Sequence, residues 1–131
     1  MRLISIVTSL LFAPLAMASP CSGIDQVLSP EAKATLAPTI AKQMQTPNVE
    51  VLRSFRGGNW SILYVNPHDS DEAFLFFSGN PEAVHFVTLW AGAATRNEQA
   101  TIRKWVRINA PGIPAPLAAC FAWYVAQGRT E

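Results

Sequence analysis

Cys21 and Cys120 are the only two cysteines in the chain, and they stand 99 residues apart. Joined, they close almost the whole domain into one covalent loop; left apart, they are two isolated thiols. The compartment decides between these, because disulfides persist in oxidising surroundings and are rare in the cytosol. The first residues point to one answer. Arg2 supplies a positive start, and Leu3 to Leu15 form an apolar run broken only by Ser5, Thr8, Ser9 and Pro14. Ala16-Met17-Ala18 then places small residues where a signal peptidase cuts. Residues 1–18 therefore read as a signal peptide, cleaved near Ala18-Ser19, with a periplasmic or secreted product. The run is shorter and more broken than the ~20 apolar residues a membrane-spanning helix needs, and an uncleaved anchor is the alternative. Pro20 before Cys21 argues against a lipid-attachment site.

Removing 18 of 131 residues leaves 113, the length of a single domain. Arg2 leaves with the leader, so ten basic residues become nine against nine acidic ones. A chain near neutrality lacks the basic footprint of a nucleic-acid binder. No later segment reads as a transmembrane helix. In an exported chain the cysteine pair then reads as one intramolecular bridge, which for a loop of about 100 residues gains roughly 4–5 kcal/mol in the chain-entropy model. A redox pair is the other option, but such pairs favour close spacing of the C-x-x-C kind.

Ser29-Pro30-Glu31 is a helix start, and Ala32, Leu36, Ile40 and Met44 follow at helical spacing to about Gln45. Pro38 inside this run predicts a kink or two shorter helices. From Val49 to Ala91 the period changes. Val49–Phe55, Trp60–Val65, Ala73–Ser78 and Val84–Ala91 are rich in β-branched and aromatic residues, and turn residues bound each of them. Arg56-Gly57-Gly58-Asn59 suits a tight hairpin, and the short connections favour antiparallel neighbours. Ala73–Phe77 does not alternate, and Val84–Trp90 is apolar on both faces apart from His85 and Thr88. Both stretches predict strands covered on two sides.

Thr95-Arg96-Asn97-Glu98 has capping-box spacing and opens a helix expected to run to Asn109. Ile102, Trp105, Val106 and Ile108 are assigned to its apolar arc, and Arg96, Arg103, Lys104 and Arg107 to the opposite one. A last helix, from Pro114 and Pro116 to about Gln127, ends at Gly128. Leu117, Cys120, Phe121, Tyr124 and Val125 face its core, and Ala118, Ala119, Ala122 and Ala126 back it, so it is expected to be buried between the sheet and another helix. The fold class is α+β: a four-stranded antiparallel meander with an N-terminal helix and two C-terminal helices, in the order α-β-β-β-β-α-α, packed mainly on one face. This layout is common among small exported bacterial proteins.

Candidate chemistry is sparse. His68, Asp69, Asp71 and Glu72 form a polar loop, but lack the twelve-residue calcium pattern and the paired spacing of a zinc site. His85 falls in the expected fourth strand, where a partly buried structural histidine is the simpler reading. There is no Gly-x-Ser-x-Gly elbow, phosphate loop or dinucleotide fingerprint. The reading assigns no catalytic residue, metal or cofactor. The most organised polar feature is the cationic arc of Arg96, Arg103, Lys104 and Arg107, suited to an acidic partner or anionic lipid heads. The four tryptophans and the phenylalanines other than Phe12 are assigned mostly to the core, with a ligand groove as the alternative.

These features imply an exported, non-enzymatic binding domain whose partner is an unknown protein or small ligand, reached through the sheet's aromatics or the cationic helix. Two alternatives stand beside it. One is a small enzyme using His68 or His85 with Asp69 or Asp71. The other is a structural homodimer subunit seated on an apolar sheet face or on the alanine-rich helix.

Overall fold

The computed structural model describes residues 19–129 and, ahead of them, Leu3, Ile6, Thr8 and Ser9. The rest of the expected leader, with its cleavage point, lies outside the described residues. Helix α1 spans Pro30–Met44, and strands β1 (Glu50–Gly57), β2 (Trp60–Asn66), β3 (Ala73–Ser78) and β4 (Thr88–Ala91) follow. Helices α2 (Gln99–Asn109) and α3 (Ala115–Trp123) complete the chain. The strands pair antiparallel in sequence order, as the short connections require. Gly58, the first loop residue of the β1–β2 hairpin, takes φ +58, a conformation that glycine adopts without strain.

Every residue of β2 and β3 from Trp60 to Val65 and from Ala73 to Phe77 is buried. Period two sorts them into two cores. Ile62, Tyr64, Phe74 and Phe76 pack against α2 and α3, whereas Leu63, Val65, Leu75 and Phe77 pack under α1. The two C-terminal helices thus share one face and α1 covers the other. In β1 the register shifts between Val51 and Arg53. That bulge explains why Val51 belongs to the α1 core and Phe55, also odd-numbered, to the opposite one.

Four expectations change. First, α1 is unbroken across Pro38. Pro38 and Ala34 are exposed, so the Ala34 carbonyl that loses its helical donor faces water. Second, the fourth strand begins at Thr88 rather than Val84. The Gln43 side chain of α1 takes up the backbone polar groups of the preceding segment. Its amide donates to the Pro81 and Val84 carbonyls, at 3.3 and 3.0 Å, and its oxygen accepts from Phe86 N–H at 3.0 Å. His85 is consequently an exposed loop residue stacked on Phe86, not a buried strand residue. Coverage on both faces also stops short of β4, where Leu89 is 38 % exposed.

Third, Ile108 is 66 % exposed while Ile102 and Val106 are buried. Six residues at about 100° each carry Ile108 round from Ile102 to the cationic side. Fourth, α3 stops at Trp123 and continues as a wide π-turn over Tyr124–Gly128. A side chain at Gly128 would stand 2.7 Å from the Trp123 ring and would have to displace it. The backing alanines Ala118, Ala122 and Ala126 are buried within the domain.

Cys21 and Cys120 are bonded, with their Cα atoms 4.5 Å apart. Both sulfurs sit in the core under α3. From there the chain rounds the edge of β1, where Asp25 and Arg56 exchange two backbone hydrogen bonds of 3.2 and 2.8 Å, before entering α1 on the other face. The C21S/C120S double variant should lose roughly 2–5 kcal/mol, read as a lower urea midpoint. Proteolysis of the oxidised and double-variant proteins should show cleavage in residues 19–28 appearing first in the variant.

Candidate functional site

The four cations assigned from sequence come together on one surface. Thr95 N–H and its hydroxyl both donate to Glu98 Oε1, at 3.0 and 2.9 Å, which starts the helix as the capping-box spacing predicts. Those bonds hold the Glu98 carboxyl below its usual range, the Thr95 backbone contact first. A 3₁₀ turn at Arg96–Glu98 then leads into α2. Arg96 and Arg103 border one shallow hollow with Pro20 and Ala119. Arg103, Lys104, Arg107, Ala100 and Ile108 line a second of about 540 Å³. All four cations are exposed, and none makes an ion pair or hydrogen bond among the described residues.

The His68–Glu72 loop is differently built. His68 sits at φ +65, and its N–H donates to the Asn66 side chain at 2.9 Å. The Thr46 hydroxyl beyond α1 donates to Asp69 Oδ2 at 3.1 Å. Glu72 accepts from the Tyr64 hydroxyl. Among the described residues no cluster of three or more His, Cys, Asp or Glu side chains can hold a metal. No hydrogen bond or ion pair joins His68 or His85 to Asp69 or Asp71. The Nδ1 of His85 lies 2.8 Å from the Phe86 carbonyl oxygen.

The aromatic residues are largely core, as their periodicity predicts. Phe74, Phe76 and Phe121 are fully buried, and Trp90 and Trp105 lie against them at steep ring angles. Sequence reasoning missed a polar cluster at the rim of this core. Tyr64 stacks on Phe74, with centroids 4.3 Å apart, and Arg129 lies 5.6 Å from each ring. The Arg129 guanidinium also donates to the Gly92 carbonyl at 2.9 Å. It borders a hollow with Asp71 and Glu72. Across the sheet Arg53 lies 5.3 Å from the Tyr124 ring centroid, carried to that face by the β1 bulge. The parity change between Val51 and Phe55 was a signal for the bulge; nothing in the sequence marked Arg129.

No protein-family model, curated protein or solved structure matches this chain.

Burial first, and then the hydrogen bond to Glu72, push the Tyr64 hydroxyl up to about 12. An acid whose folded pKa is raised above its unfolded value of 10.0 keeps its stabilising effect below pH 10. That contribution is then lost as pH climbs through about 12. Urea unfolding between pH 9 and 12.5 should show the wild type losing stability across this window more steeply than Y64F.

Proposed function

We propose that the protein is an exported binding domain, not a catalyst, and that the outer face of α2 captures an acidic protein surface. The observation that carries this reading is the set of exposed cations at Arg103, Lys104 and Arg107, without carboxylate partners among the described residues, around an exposed Ile108. Acids one turn away on a helix pair with such cations; α2 holds none. An apolar residue ringed by arginines suits a partner contact, since arginine is enriched in interfaces and the apolar centre gains by losing water. Arg96 extends the row past the helix start, so that the positive strip runs from the 3₁₀ turn to the end of α2.

The intramolecular bridge supports the exported reading, because such bonds persist in oxidising compartments. Among the described residues no helix is long and apolar enough to cross a membrane. The aromatic residues first considered as a ligand surface are closed between the layers, which favours the charged face as the contact region.

The test is titration with poly-L-glutamate, read by tryptophan fluorescence, beside vesicles of anionic phospholipid. Capture of the polyanion should weaken steeply with added salt, as charge-driven encounter does. R103E/R107E should weaken it about tenfold or more, with no fall in melting temperature. Binding that survives this reversal would sink the reading. Binding to vesicles alone would replace the protein partner with a membrane surface.

A further inference from the structure

A groove of about 560 Å³ runs between the N-terminal half of α1 and the β1–β2 hairpin, on the side of the sheet away from α2. Leu28, Ala32 and Leu36 form its apolar wall. Its floor is the sheet, and the register determines which side chains stand there. Ser54 pairs opposite Leu63, and Arg56 opposite Ser61. Leu63 belongs to the core under α1, so Ser54 and Ser61 project to the same face as diagonal neighbours on adjacent strands.

These two serines are buried, at 5 % and 7 % exposure. Each lines the groove, and neither hydroxyl bonds another described residue, so both open into the groove rather than being enclosed by the protein. A serine at an inward strand position wastes the apolar burial that a valine or alanine would supply there. Two such serines side by side, open to one groove, provide two donors and two acceptor sites at its base.

We infer that this groove is a binding site for a small neutral amphiphile, a molecule with an amide or ester head on Ser54 and Ser61 and a short aliphatic tail along Leu28, Ala32, Leu36 and Leu63. The charge layout decides the head. The Arg56 guanidinium at the mouth is already paired with Asp25, at 2.6 Å, and Glu82 on the rim is exposed. An ionised head lowered onto the serines would lose its water for, at most, a water-screened carboxylate at the rim, whereas a neutral amide loses far less and finds complementary hydroxyls. The tail fits for an equally simple reason: Leu28, Ala32 and Leu36 line the groove with aliphatic side chains. The groove's volume falls within the range of small-molecule sites. This site is separate from the α2 face, and the two readings stand or fall independently.

The experiment titrates the intact, oxidised protein with octanamide, octanoate and octylammonium, following amide shifts by two-dimensional NMR. Octanamide should produce saturable shifts at Ser54, Ser61, Leu63 and the first two turns of α1. The two ionised analogues should bind at least tenfold more weakly. S54V/S61V should reduce octanamide affinity tenfold or more without lowering the melting temperature, because a merely structural pair of hydroxyls would lower it when removed. A32F fills the groove from the helix side while leaving both hydroxyls in place, and should abolish binding. The absence of saturable shifts with octanamide, or equal binding of either ionised analogue, overturns the inference. So does wild-type affinity in either variant once it is shown to be folded.

Discussion

The rest of the fold depends on one constraint: the β2–β3 pair is apolar on both faces and has to be shielded from water twice. Ile62 to Val65 and Ala73 to Phe77 leave no solvated side. A sheet of that kind needs a layer above and a layer below, and the chain draws them from opposite ends. Helix α1, made before the strands, closes over Leu63, Val65, Leu75 and Phe77. Helices α2 and α3, made after them, close over Ile62, Tyr64, Phe74 and Phe76. The disulfide anchors the N-terminal segment to the second layer, so the same short stretch that leads into the first layer is held by the other.

This division of labour determines where recognition is possible. Ring contacts among Tyr64, Phe74, Trp90 and Phe121 fill the space between sheet and α3. Polar groups gather only where the layers end. Arg53 meets Tyr124 at one place on that rim, while Arg129 meets Tyr64 and Phe74 at another. Two surfaces outside the packing differ most: the charged exterior of α2, and the recess where α1 diverges from the hairpin. They lie on opposite sides of the sheet and differ in chemistry, one cationic and shallow, the other neutral and floored with hydroxyls.

Element order, strand pairing and the bridge were legible in the sequence because each rests on a local or binary signal. The non-alternating run Ala73–Phe77 declared a strand covered on two sides, and Thr95 with Glu98 declared a helix start. What the sequence hid came from contacts between distant segments. Gln43 reaches across from α1 to cap the Pro81–Phe86 backbone, and this shortens a stretch whose composition is that of a strand. The β1 bulge carries Arg53 to the aromatic side. Ile108 was a matter of arithmetic, since a wheel drawn at 100° per residue separates it from Ile102. The cationic residues of the candidate site were visible as a pattern; Ser54 and Ser61 were not, because inward-facing serines acquire meaning only when the groove above them is known.

The distance between the two cysteines also orders events in time. Cys21 is synthesised early and Cys120 99 residues later, after all four strands and α2. Local hairpins between β1 and β4 can form while the tail is still emerging, yet the N-terminal segment has no covalent partner until α3 arrives. During that interval the outer edge of β1 is guarded only by the Asp25–Arg56 pairing, and an unguarded edge is a template for strand addition by another chain. The bridge therefore cannot close before α3 has been made, and until then the β1 edge relies on the Asp25–Arg56 pairing alone.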